Sequence, residues 1–96
     1  MAREVIWTGP AWHDLEAAAA YIARDSPFYA STFVHNVKEA AQSLSDHAER
    51  GQVVPELADP SIRELLVRPY RLVYRIAGES VFVLSLIHGA RRTSRT

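Results

Sequence analysis

Apolar and polar residues alternate most clearly at positions 70–76, which read YRLVYRI. Successive side chains of a β-strand point to opposite faces, so this segment predicts a strand with two unlike faces. One face carries the guanidinium groups of Arg71 and Arg75. The other face is apolar and consists of Tyr70, Leu72, Tyr74 and Ile76.

The residues around this strand predict two more strands, so that positions 62–92 contain three in succession. β-Branched and aromatic residues dominate the segment, and Arg68-Pro69 and Gly78 stand where turns are required. The last strand, Val81–Ile87, is apolar on both faces, which is typical of a central strand. The segment therefore predicts a three-stranded antiparallel meander.

Helical periodicity fills most of the chain before the meander. A short apolar strand at Arg3–Thr8 is followed by a helix from Pro10 to Arg24, since proline suits the first helical position. Ser26-Pro27 is a good N-terminal cap for a second helix. We predict that this helix ends near Glu49-Arg50 and that Gly51 caps it in the left-handed conformation.

Each helix carries an apolar stripe that requires a surface to cover. The predicted stripe of the first helix is Trp12, Leu15, Ala19, Ile22 and Ala23. That of the second helix is Phe33, Val37, Ala40 or Ala41, and Leu44. Residues 52–61 contain two prolines and are interpreted as a connecting loop.

The order strand, helix, helix and three strands predicts one α+β domain over residues 1–96. Both helices should pack on one face of the sheet, against the apolar side of the 70–76 strand. The side that carries Arg71 and Arg75 should then remain open.

The formal net charge of zero conceals a split between the two parts of the chain. Residues 1–60 carry four basic residues against nine acidic ones, whereas residues 61–96 carry seven arginines against two glutamates. The helical part is therefore about five charges negative and the strand part about five positive. An anionic partner should bind the strand part.

Several classes of protein are disfavoured by what the sequence lacks. There is no cysteine, hence no disulfide or thiolate metal site. The four histidines make no metal-ligand spacing, and no nucleotide-binding or Ser/His/Asp motif is found, so we expect neither a metal nor a cofactor. The N-terminus has no signal-peptide pattern, and the longest apolar run is far shorter than the roughly 20 residues of a membrane span. We therefore expect a cytoplasmic protein that has no membrane partner.

The candidate functional residues are arginines and one histidine in the strand part. His88 ends the last strand beside Gly89, where it is either a general acid or base, a phosphate ligand, or a histidine bonded to backbone. Arginines on an open face either discourage aggregation or bind a carboxylate or phosphate, and several in one region favour the second role. The candidate set is Arg63, Arg71, Arg75, His88, Arg91 and Arg92.

These residues also carry a resemblance. Residues 62–65 (IREL), 69–75 (PYRLVYR), 81–87 and 88–92 (HGARR) resemble the RelE/ParE superfamily of bacterial toxins from type II toxin–antitoxin modules. The A-x-x-D-L start of the first helix, Tyr21-Ile22 and the Ser26-Pro27 junction are similar to the same superfamily. The likeness covers almost the whole chain and implies one toxin domain.

Two activities divide the superfamily. RelE-like members are ribosome-dependent endoribonucleases that cut mRNA, and ParE-like members bind DNA gyrase and are not nucleases. The resemblance places Arg71 at a position matching a functional arginine of the ribonucleases, with His88 at the strand end where their other catalytic groups lie. If the protein is a ribonuclease, Arg71 and His88 are the expected catalytic residues.

The sequence departs from the ribonuclease pattern. Its only lysine, Lys38, lies on a helix, no tyrosine follows Arg92, and the chain is neutral although ribosome binding favours a basic protein. The long helical hairpin also resembles the ParE-like branch. The favoured interpretation is therefore a ParE-like gyrase inhibitor, with a RelE-like ribonuclease or a degenerate toxin that only binds partners as alternatives.

The resemblance also implies a small cognate antitoxin that wraps around the toxin in a hetero-oligomer. We expect acidic residues of that antitoxin to meet the arginine face and apolar ones to meet exposed valines and leucines.

Overall fold

The computed structural model describes residues 2–89, which form a five-stranded sheet with two helices on one face. The predicted contact residues Arg91 and Arg92 lie outside the described residues. The elements are β1 (Glu4–Trp7), α1 (Gly9–Ala23), α2 (Pro27–Ser43), β2 (Gln52–Val53), β3 (Ile62–Val67), β4 (Tyr70–Ala77) and β5 (Ser80–His88).

The strand order across the sheet is β1-β5-β4-β3-β2. The pairs β2–β3, β3–β4 and β4–β5 are antiparallel, and β1 pairs parallel with β5. The predicted α+β class, with a first strand, two helices and an antiparallel meander, is confirmed. Strand β5 lies between two others, as its apolar composition predicts.

The core lies between the helices and the apolar face of β4. Tyr70, Leu72 and Tyr74 are all buried there, and α2 contributes the stripe predicted for it. On α1 the prediction is partly wrong, because the buried stripe is Ala11, Leu15 and Ala18. Trp12 is 41% exposed and packs edge-on against Trp7 of β1.

The helix starts follow from local capping. The Ser26 hydroxyl accepts a hydrogen bond from the Tyr29 amide at 3.2 Å, so the predicted cap of α2 is confirmed. Thr8 plays the same part for α1 by accepting from the Ala11 amide at 3.3 Å.

No helix within residues 2–89 is long and apolar enough to cross a membrane.

The end of α2 and the role of Gly51 were predicted wrongly. The helix ends at Ser43, and the chain makes a short 3-10 turn at Ala48–Arg50. The buried Tyr74 hydroxyl donates to the Ala48 carbonyl at 2.6 Å and accepts from the Gly51 amide at 2.9 Å. The Ala48 carbonyl and the Gly51 amide therefore bond to Tyr74 and are not part of a longer α2.

Gly51 is extended, with a φ of −78°, and its importance lies in close packing. A Cβ atom at this position would lie 2.6 Å from the Tyr74 hydroxyl oxygen and 2.7 Å from the Glu64 carbonyl oxygen. The predicted loop at 52–61 is also interrupted, because Gln52 and Val53 pair with Glu64 and Arg63 as strand β2.

Candidate functional site

Cross-strand register divides the candidate residues between the two faces of the sheet. Tyr70 pairs with His88, and Arg71 pairs with Ile87. Directly paired residues share a face, and successive residues alternate. Tyr70 is buried on the helix side, where its ring lies 5.1 Å from that of Phe33. His88 is therefore on the helix side of the sheet, and Arg71 is on the open side.

An irregularity in β5 produces this arrangement. The pairing with β4 shifts at Val73 and Tyr74, which oppose Ser85 and Val83, so Leu84 is an extra residue in β5. Such a bulge reverses the alternation beyond it. Strict alternation from the buried Val83 would have placed His88 on the open face.

The start of α1 holds the bulged part of β5. The Thr8 hydroxyl donates to the Val83 carbonyl at 2.7 Å, and the Asp14 carboxylate accepts from the Leu86 amide at 3.0 Å. The Thr8 amide also donates to the Val83 carbonyl, at 3.1 Å, and β1 ends at Trp7, so beyond the end of β1 the Asp14 side chain satisfies the Leu86 amide.

His88 is exposed at the edge of the helix side. Its ring meets the Tyr70 ring edge-on, with centroids 5.0 Å apart. Burial raises the pKa of Tyr70 above its ordinary value of 10.0. This pair is thus an aromatic contact at the end of the core, with Tyr70 kept neutral.

Arg71 on the open side is held by contacts with Glu64 and with the backbone of Gly89. Its Nη1 lies 2.6 Å from Oε2 of Glu64, and its Nε donates to the Gly89 carbonyl at 3.3 Å. The Arg71 and Glu64 side chains are only 24% and 16% exposed. The anion that joins this guanidinium is therefore supplied by the protein's own β3 strand.

Arg63 lies on the helix side of the sheet, because it pairs with Tyr74. Its guanidinium donates to the Glu49 carbonyl at 3.1 Å and to the Gly51 carbonyl at 2.9 Å. Its Nε is buried without a hydrogen-bond partner among residues 2–89. In this structure Arg63 fixes the turn that follows α2.

Arg75 is exposed on the open side, four residues along β4 from Arg71. Four strand residues span about 13 Å. The Debye length at physiological salt is about 8 Å, so these two guanidinium groups are separate charges. The structure does not bring Arg63, Arg71, Arg75 and His88 together into one cluster.

Apolar side chains form much of the open face. Leu66 and Ile87 flank Arg71 in the pairing and are 48% and 51% exposed. The rows of paired residues on this face are Ile6, Phe82, Arg75 and Ile62, then Ser85, Val73, Glu64 and Gln52, then Ile87, Arg71 and Leu66. We call this surface, made by these three rows, the open face.

A cleft of about 460 Å³ lies at one side of the open face. The turn after α2 contributes Arg50, the β2 side contributes Gln52 and Pro55, and the Arg71–Glu64 pair forms one wall. Arg50 itself donates to the Ser43 hydroxyl at 2.7 Å. The cleft thus combines two guanidinium groups, one carboxylate and apolar residues.

Comparison with known proteins decides the family. The model of the ParE toxin of the type II toxin–antitoxin system parDE matches residues 5–93. The chain belongs to the ParE toxin family. Toxin RelE2 of Caulobacter vibrioides is 38% identical over 89 residues, which is 92% of this chain and 97% of that protein.

A solved structure supports the same placement of this ParE-family toxin. A chain of the chromosomal ParDE toxin–antitoxin system from P. aeruginosa superposes with a TM-score of 0.74 at 26% identity. The likeness covers 92% of this chain and 97% of that one. The predicted superfamily is therefore confirmed, and the protein is a toxin of a type II toxin–antitoxin system.

Glu64 is the residue of this toxin's open face that sequence reasoning missed. Glu64 lies two residues from Ile62 and two from Leu66 on β3, so alternation places these three side chains on one face, the face of Arg71, which pairs with Leu66. The contact itself depends on the register between β3 and β4, which alternation leaves open. Within residues 2–89 no group of three or more metal-ligating side chains lies together.

Proposed function

We propose that this ParE-family toxin inhibits growth by binding DNA gyrase, without catalysing a reaction of its own, and that a cognate antitoxin neutralises it. The supporting observation is that Arg71 and His88 project from opposite faces of the sheet. A general acid or base has to lie within about 3 Å of the group that exchanges its proton. A phosphate held by Arg71 on the open face is screened from His88 by the sheet.

The open face is the proposed antitoxin surface. Leu66 and Ile87 expose apolar area beside Arg71, and Arg75 adds a positive charge at the other end of β4. Exposed apolar patches with a polar rim are typical of protein interfaces. An antitoxin segment with apolar residues over Leu66 and Ile87 and an acidic residue near Arg75 fits this surface, and the complex is a hetero-oligomer.

The gyrase proposal is tested with the purified toxin in a supercoiling assay. Micromolar toxin should inhibit gyrase or trap cleaved DNA, and toxin preincubated with its antitoxin should not. Uninhibited supercoiling at that concentration would refute gyrase as the target. A cytoplasmic site of action follows from that target.

A RelE-like ribonuclease is the second candidate, because the relative from Caulobacter vibrioides is called toxin RelE2. In that case Arg71 would stabilise phosphate charge and His88 would transfer a proton. A translating extract should then show codon-dependent mRNA cuts, reduced at least about 100-fold by His88→Ala. Intact transcripts together with gyrase inhibition would reject this candidate, and loss of both activities would indicate a degenerate toxin.

A further inference from the structure

The open face contains a short ion pair to which the proposed function gives no role. Arg71 Nη1 and Glu64 Oε2 are 2.6 Å apart, and both side chains are largely shielded from water. The two residues come from different strands and are diagonal neighbours on the open face, because Glu64 pairs with Val73 and Leu66 pairs with Arg71. The pair also forms one wall of the 460 Å³ cleft that includes Arg50.

The chemistry of this pair bears on what the face binds. A guanidinium recognises carboxylates and phosphates with the same set of N–H donors. A carboxylate already bound to Nη1 takes up one donor and cancels most of the field that would attract a second anion. Without that carboxylate, Arg71 and Arg50 in one cleft would be suited to a nucleic-acid phosphate.

We propose that Glu64 determines the specificity of the open face: its carboxylate binds Arg71 as a built-in anion and prevents nucleic-acid phosphates from binding there. The face is thereby reserved for a protein segment. The proposal rests on the proposed function only in taking the open face as a protein-binding surface.

The test uses Glu64→Gln, which preserves the size of the side chain and removes its charge. The matched control is Glu79→Gln, which changes the net charge equally and lies in the turn between β4 and β5, at the far end of β4 from Arg71. Each folded protein is titrated with a short, labelled single-stranded oligonucleotide at several salt concentrations. Circular dichroism and thermal unfolding verify the fold of both variants.

Glu64→Gln should bind the oligonucleotide about fivefold more tightly than Glu79→Gln, as one added cation–phosphate contact implies. The slope of log K against log salt should steepen by about 0.7, the value for one phosphate of a single strand. Adding Arg71→Gln to Glu64→Gln should abolish the gain. Adding Arg24→Gln, which removes a charge from the helical part, should preserve most of it.

Equal affinities of the Glu64 and Glu79 variants would overturn the proposal. The proposal would also be overturned if the unaltered toxin bound the oligonucleotide and Arg71→Gln weakened that binding as strongly as it weakens binding by the Glu64→Gln protein. The assay contains neither gyrase nor antitoxin, so these outcomes are independent of the supercoiling result.

A second measurement needs no substitution at Glu64. In a titration of the unaltered toxin with inorganic phosphate, followed by NMR at the arginine Nε–H groups, the Arg75 signal should shift and the Arg71 signal should not. An Arg71 signal that shifts at lower phosphate than the Arg75 signal would contradict the proposal.

Discussion

The two faces of the sheet differ in how their polar and apolar groups are covered. On the helix side the Tyr74 hydroxyl and the Arg63 guanidinium each bond to carbonyls of the turn after α2. On the open side Leu66 and Ile87 stay about half exposed beside the Arg71–Glu64 pair. Buried polar groups have to be satisfied within the fold, whereas a face kept for a partner leaves apolar area uncovered.

This difference separates residues that stabilise the toxin from residues available for binding. Substitutions on the helix side should lower the free energy of unfolding, and substitutions on the open face should change binding while the fold persists. The following variants test that separation in order of decreasing effect on stability.

Gly51→Ala should have the largest effect. Its Cβ would lie 2.6 Å from the Tyr74 hydroxyl oxygen and 2.7 Å from a backbone oxygen, so the turn would have to move. We expect a loss of about 3 kcal/mol in unfolding free energy, measured by urea denaturation. Gly9→Ala is the matched control, because no atom lies within 4 Å of a Cβ there. Equal losses at both glycines would contradict the packing role of Gly51.

Tyr74→Phe should cost about 2 kcal/mol, since it leaves the Ala48 carbonyl and Gly51 amide without their partner in a buried site. The ring is retained, so the change isolates the hydroxyl. Tyr21→Phe, at a residue that is 61% exposed, should change stability by less than about 0.5 kcal/mol. A Tyr74→Phe protein as stable as the Tyr21→Phe protein would show that the hydroxyl contributes nothing.

Stability should also fall in alkali. Burial raises the pKa of Tyr74 and of Tyr70, so the folded state disfavours their ionised forms. The contribution of each neutral tyrosine is fully present below the unfolded pKa of about 10 and is lost as pH rises through the folded pKa. Urea denaturation at about pH 8 and about pH 11 should show the loss, and Tyr74→Phe should reduce it. A loss of the same size in that variant would exclude Tyr74 as a cause.

Leu66→Ser and Ile87→Ser should have the smallest effect on stability, below about 1 kcal/mol each, because both side chains are about half exposed. Each should weaken antitoxin binding about tenfold, as measured by calorimetry, if the antitoxin covers the open face. Leu57→Ser is the control, since Leu57 is 51% exposed but lies in the segment between β2 and β3. Unchanged affinity in both open-face variants would place the antitoxin elsewhere.

The sequence determined which residues share a face within one regular strand. Alternation placed Tyr70, Leu72 and Tyr74 in the core and Arg71 and Arg75 opposite them, because period two is a property of the extended backbone. The Ser26 cap and the apolar stripe of α2 could likewise be predicted from the sequence, since capping and the 3.6-residue period act over a few residues. The sequence motifs were also sufficient to identify the superfamily.

Only the tertiary structure decided which of those residues meet. One extra residue, Leu84, reverses the alternation of β5 and moves His88 to the face opposite Arg71. The partners of Arg71 and Arg63, and the bonds of the Tyr74 hydroxyl to the turn after α2, depend on how segments distant in sequence pack together. Register is a property of the assembled sheet, so a local pattern cannot specify it, and the relation between the candidate groups emerged only with the fold.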